Sequence, residues 1–290
     1  MRSFFEVIGK IFLLLLIFAT ILSLFLFIPG SDSLLNLLMF IALILPPFAL
    51  YSVFHERNFF DFRLIESKFY QHFVVGFGIS TIVIFIVFGL FYYLNIYSVL
   101  GFSLKHSGND LIFSLLYYLI LAFGQEIFMR GYIYNLIKSR STVAGGVIFS
   151  SLIFIGIYRF DPILVSDLFL TVTIFLLGVV LVLLYEYTDS LWTSIGFHLA
   201  WIFVQDTILA IRTSNVNTEF SIVQVTLGIG KLSQPLYSGV PYDMEGSVIT
   251  TLCLSILVII LCFLSKRKKD QSFKNIKTTT ITWYNDRFNK

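Results

Sequence analysis

Apolar runs decide what this chain can fold into. Eight stretches are almost free of charge: about 8–28, 34–53, 73–94, 111–133, 143–157, 168–185, 191–211 and 247–264. About 20 apolar residues of helix cross the hydrocarbon core of a bilayer, and only a helix or a closed barrel satisfies its backbone there. The expectation is an all-α polytopic membrane protein, with about eight transmembrane helices around an internal polar cavity. Breakers agree with these bounds. Pro29-Gly30 closes the first run, Asp161-Pro162 parts the fifth from the sixth, and Asp189-Ser190 parts the sixth from the seventh. The fifth run is the shortest, and Gly145-Gly146 and Ser150-Ser151 dilute it.

With 57% hydrophobic and 13% charged residues, the composition excludes an ordinary soluble domain. Charge is unevenly spread. Residues 266–290 carry eight Lys/Arg against two Asp, which leaves the rest of the chain at −3. A basic tail beside membrane spans points to anionic lipid rather than nucleic acid. With the N-terminus in the cytoplasm, fifteen Lys/Arg fall on the inner side and only Lys105, Arg159, Arg212 and Lys231 on the outer side. That asymmetry predicts both termini cytoplasmic. The longest loop, 213–246, is then outward-facing, with room for short re-entrant structure. Nothing resembles a cleavable signal, since the first run is too long and a second follows at once.

Against this background a few polar residues stand out. Glu126 and Arg130 lie near the end of the fourth run. Insertion scales put such groups at about 2.5–3.5 kcal/mol each near a helix centre, so they usually face a protein interior and pair. Four residues apart, they share one helix face, with the acid on the favourable N-terminal side. Gln125 projects from a neighbouring face. In the seventh run Ser194, His198, Ile202 and Gln205 share a face, with His198 roughly 13 Å from the inner end. Asp206 sits one residue off that face and is expected to pair with outer-end groups such as Arg212. Tyr158 and Arg159 end the fifth run, where a tyrosine usually belongs to the interfacial belt.

Familiar catalytic signatures are missing: there is no H-E-x-x-H, G-x-S-x-G or phosphate loop. His55, His72 and His106 have no metal-ligand spacing to one another, and Cys253 and Cys262 lie on different faces of one run. No cofactor and no metal are expected.

Three segments occur in order on successive runs: Gln125-Glu126-x-x-x-Arg130-Gly131, Phe154-x-x-x-Tyr158, and Asp189-Ser190-Leu191-Trp192-x-Ser194-Ile195-x-x-His198. This resembles the CPBP family, the membrane proteins related to type II CAAX prenyl proteases and bacteriocin-processing enzymes. Its pattern is E-E-x-x-x-R, then F-x-x-x-H, then H-x-x-x-N or D. Met244-Glu245-Gly246-Ser247 also resembles a segment common in bacterial members. The resemblance implies an intramembrane endopeptidase in which the first Glu and the second-motif His activate a water. The third-motif His and Asn then polarise the scissile carbonyl. It implies a bacterial cytoplasmic membrane as the location. It divides the chain into helices 1–3 (1–110), a CPBP-like core (111–211), an outer loop with helix 8 (212–264) and a basic cytoplasmic tail (265–290).

Carried over, the site residues are Glu126, Arg130 and His198, with Gln125, Tyr158 and Ile202 at positions where the pattern has Glu, His and Asn or Asp. These three departures fall where the chemistry is done. An amide has no useful basicity. A phenol titrates near 10, and an aliphatic side chain offers an oxyanion no donor. The expected function is therefore a catalytically degenerate member that binds or regulates another membrane protein or a membrane-bound peptide, in a cell-envelope or bacteriocin-immunity-like role. The alternatives are an active intramembrane peptidase with rewired residues and a small proton-coupled transporter using Glu126 and His198. The transporter lacks the expected inverted repeat and paired broken helices.

Overall fold

In the computed structural model, residues 2–25, 32–54, 62–102, 108–158, 168–209, 222–227, 235–239 and 244–288 are described. Arg159, Arg212, the Asp161-Pro162 breaker and most of loop 213–246 lie outside them. The elements are α1 (Arg2–Phe25), α2 (Asp32–Phe54), α3 (Phe69–Tyr93), β1 (Tyr97–Phe102), α4 (Gly108–Glu126), α5 (Asn135–Lys138), α6 (Val143–Tyr158), α7 (Leu168–Thr188), α8 (Leu191–Phe203), β2 (Val223–Leu227), α9 (Pro235–Ser238) and α10 (Val248–Phe288). A π-helical stretch, Ile127–Tyr134, joins α4 to α5 without a break, and a second, Val204–Ile208, follows α8.

Each of the eight apolar runs is helical over most of its described residues. Among the described residues five helices are long and apolar enough to cross a membrane: Phe5–Ser23, Phe69–Tyr93, Asn109–Lys138, Leu168–Thr188 and Val248–Lys268. Met39–Phe54 and Val143–Tyr158 are apolar but shorter. The diluted fifth run is a helix of 16 residues, or about 24 Å of rise, short of a full bilayer core. The chain is thus helical and built for a multi-pass membrane setting. Burial separates the helices: 67% of the α7 window is inside the protein, against 17% in α1 and α10. α7 and α8 are the centre and the others wrap them.

The all-α architecture carries one small addition, a two-stranded ribbon outside the helices. β1 and β2 pair antiparallel, Tyr97 opposite Leu227 and Phe102 opposite Val223, with a bulge between Val99 and Gly101. Neither strand is long enough to compete with the helical runs. β1 brings the aromatic Tyr97 and Phe102 and β2 the β-branched Val223, Val225 and Thr226, residue types that suit a strand.

Small residues set the helix spacing, as expected where lipid gives helices no hydrophobic drive to associate. α3 and α8 are the most closely packed pair. A Cβ on Gly76 would overlap the Thr193 carbonyl oxygen, and one on Gly196 would overlap the carbonyl oxygen of Phe73. Each glycine therefore sits against the other helix's backbone.

The start of α8 is fixed by a built turn. Asp189 takes φ 60°, a conformation that Asp tolerates better than most residues, and ends α7. Ser190 is extended, and its Oγ accepts from the Trp192 amide at 3.2 Å, a helix N-cap. The segment before α3 holds this turn from outside. Arg63 reaches Asp189 at 2.9 Å, Ser190 donates to Glu66, and Trp192 Nε1 donates to the Leu64 carbonyl at 2.8 Å. His198 follows two helical turns later, so its depth is set by this cap.

Candidate active site

Glu126 is the last α-helical residue before the π-helical stretch. π-turns are rare and concentrate at functional sites. Gly131, inside that stretch, lies under the Phe62 ring, where a Cβ would overlap the ring carbons. Phe62 is itself buried and packs on Tyr51 with ring centroids 4.6 Å apart.

The expected Glu126–Arg130 pair forms, at 2.9 Å from Nη1 to Oε1, with both side chains buried. Arg130 does more than pair. Its Nη2 donates to the Gly178 carbonyl of α7 at 3.1 Å, and its guanidinium lies 4.4 Å from the Phe154 ring centroid of α6. A Cβ at Gly178 would press on Ser151 and Phe154 at 3.1–3.2 Å. The bare glycine lets Phe154 lie beneath the arginine.

His198 joins the same carboxylate. Its Nδ1 is 2.7 Å from Glu126 Oε1, the oxygen that also accepts from Arg130. Nδ1 therefore faces that carboxylate oxygen as the donor, and Nε2 is the ring's second nitrogen. Nε2 and Glu126 Oε2 are both buried and have no protein hydrogen-bond partner among the described residues. The site thus presents an imidazole nitrogen and a carboxylate oxygen on a dyad that Arg130 holds.

Tyr158 stacks on this imidazole, with ring centroids 5.8 Å apart and planes 20° apart. It is buried at 7% exposure, so it is part of the interior and not an interfacial belt residue. Its hydroxyl donates to Glu245 Oε1 at 2.8 Å, and Trp201 Nε1 donates to the same oxygen at 2.7 Å. Glu245 sits in a short 3-10 turn, Met244–Gly246, just before α10. Thr250 Oγ1 pins the turn by donating to the Met244 carbonyl at 2.6 Å, and Ser247 Oγ caps α10 by accepting from the Ile249 amide at 3.1 Å.

Glu245 and Trp201 are the residues that sequence reasoning passed over. The signal for Glu245 was present in Met244-Glu245-Gly246-Ser247, but nothing in a loop sequence says which helices it folds back between. Trp201 neighbours Ile202 in an apolar run and gives no separate sign.

Of the face expected in the seventh run, Ser194 and Ile202 lie on α8 and Gln205 on the π-helical stretch that follows it. Ser194 donates to the Leu181 carbonyl of α7 at 2.8 Å, a helix-packing bond. Gln205 gives an amide hydrogen to the Trp201 carbonyl one turn back, at 2.7 Å, where the helix changes to π. Ile202 is buried and brings no polar group. Asp206 meets the Tyr118 hydroxyl at 2.8 Å, a partner supplied by α4 that linear spacing does not reveal.

Glu126, Arg130, Tyr158 and His198 are drawn from three different helical segments into one buried cluster, with Gln125 and Ile202 also interior. No curated protein matches the chain. Residues 107–204 match the family model of the Rce1-like type II CAAX prenyl endopeptidases. The match begins just before α4, ends at the first residue after α8, and contains all three motif segments but not Glu245. The chain therefore carries an Rce1-like type II CAAX prenyl endopeptidase (CPBP) domain over residues 107–204.

Proposed function

We propose that this is a CPBP-domain membrane protein that keeps the buried polar site but does not hydrolyse peptides. Its role is to bind or regulate another membrane protein or a membrane-bound peptide. One observation supports this reading above all. The phenol at the second-motif position gives its hydroxyl to Glu245, and the first-motif partner is an amide, Gln125. Neither can take a proton from water at neutral pH. With Ile202 where an oxyanion donor belongs, three groups are lost, each worth about 10²–10⁴ in rate.

A second reading, a rewired peptidase, has its own support. His198 oriented by Glu126, with Nε2 bare, has the makings of a base and its orienter. One assay separates the two readings. Full-length protein in liposomes would be given prenylated CAAX peptides and membrane-protein digests. No product is expected. Product formation that disappears in Glu126→Gln and in His198→Gln would replace the first reading with the second.

The arrangement in the membrane belongs to the same proposal: eight spans, both termini cytoplasmic, and a tail that lies on an anionic leaflet. The fifteen-to-four split of Lys and Arg supports it. Reporter fusions at Lys105 and Lys231 are expected to read outside, and those at Lys138 and the C-terminus inside. An inside reading at Lys231 would overturn the order of the last two spans.

A further inference from the structure

A second, separate feature lies where three spans end on one side of the protein. α3 begins at Phe69, α7 ends at Thr188, and the apolar part of α10 ends at Lys268. Between them is a cavity of about 530 Å³ lined by His72, Tyr187, Thr188, Arg267 and Lys268, with Leu264 as an apolar wall. Span ends mark the depth of lipid headgroups.

The charges around this cavity are arranged to leave two cations over. Glu66 is taken by His72 Nδ1 at 2.9 Å and by Ser190. Glu186 is taken by Lys138 at 2.7 Å and Arg63 at 3.2 Å, and Asp189 by Arg63 at 2.9 Å. Asp270 is exposed on the outgoing helix. Lys268 spends one donor on the Tyr187 carbonyl, at 2.6 Å, which holds its ammonium at the cavity with further donors to give. Arg267 has no partner among the described residues.

Above Arg267 on the same helix, Ile256, Ile260 and Phe263 are spaced to share its face and are 57%, 48% and 64% exposed. An apolar stripe therefore leads into a seat with two cations. We propose that this cavity binds the phosphate headgroup of an anionic phospholipid whose acyl chains lie along that stripe. This rests on the tail facing an anionic leaflet, and it sharpens that reading from adsorption of a charged segment to a seat for one headgroup.

Native mass spectrometry of the full chain in detergent tests the proposal, with phosphatidylglycerol, phosphatidylcholine and inorganic phosphate as probes. One phosphatidylglycerol should be retained in clear preference to phosphatidylcholine. Arg267→Gln/Lys268→Gln should weaken it by about ten- to thirtyfold, and Lys274→Gln/Lys277→Gln, further along the tail, by no more than about twofold. A thermal melt of each variant confirms that the fold is intact. Equal loss in the two double variants would leave tail adsorption standing and overturn the seat. Equal binding of the two lipids would overturn both. Displacement by inorganic phosphate at equal concentration would show a free-anion site and overturn the lipid assignment.

Discussion

Replacing Arg130 with alanine should destabilise the protein by about 3–5 kcal/mol, among the largest losses that any single side chain here can cause. The substitution strands the Glu126 carboxylate at 0% exposure with only His198 left on it. It also leaves the Gly178 carbonyl without its extra donor and removes the plane that covers Phe154. The double change Glu126→Leu/Arg130→Met removes both charges and should cost less than Arg130→Ala alone, since burying neither charge is often close to neutral. Unfolding in mixed detergent micelles across the full mutant cycle measures this. A strong positive coupling is expected. Additive losses would contradict a clamp.

The second large effect is expected where α3 meets α8. Gly76→Ala places a methyl on the Thr193 carbonyl, and Gly196→Ala places one on the carbonyl of Phe73. Neither obstacle is a side chain that can swing away, so the helices must move apart. Overpacking usually costs about 1–3 kcal/mol, and backbone against backbone belongs at the upper end. Both glycines relieve the same crossing, so one separation of the helices accommodates both methyls. The double variant should therefore fall short of the sum of the singles, as expected for residues that share one displacement. Because His198 lies two residues beyond Gly196, each single variant should also disturb the Glu126–His198 bond. Neutral behaviour of both single variants would show that the spacing is set elsewhere.

The helices were legible in the sequence because lipid imposes a simple condition, a long apolar run with satisfied backbone. The Glu126–Arg130 pair was legible for the same reason, since two charges four residues apart in such a run have little choice but to meet. His198 could be placed in the interior, but not on Glu126, because spacing within a helix does not say which neighbouring helix it faces. The π-helical stretches at Ile127–Tyr134 and Val204–Ile208 left no composition signal. They shift the faces that an ideal 3.6-residue period assigns, and Gln205, placed on the His198 face by that period, bonds instead to its own helix. Glu245 shows the widest gap. It reaches Tyr158 across 87 residues of chain, a contact that only the folded loop creates.

That contact also shapes the most direct test of the account. Glu245 Oε1 accepts from Tyr158 and Trp201 and stands ready to orient a ring at position 158. The variant Gln125→Glu/Tyr158→His/Ile202→Asn puts a carboxylate, an imidazole and an amide back where the family pattern has them. In liposomes with prenylated CAAX peptides, the unmodified protein should release no product, and the triple variant should cleave in a manner abolished by adding Glu126→Gln. Cleavage by the unmodified protein, lost on Glu126→Gln alone, would contradict the account.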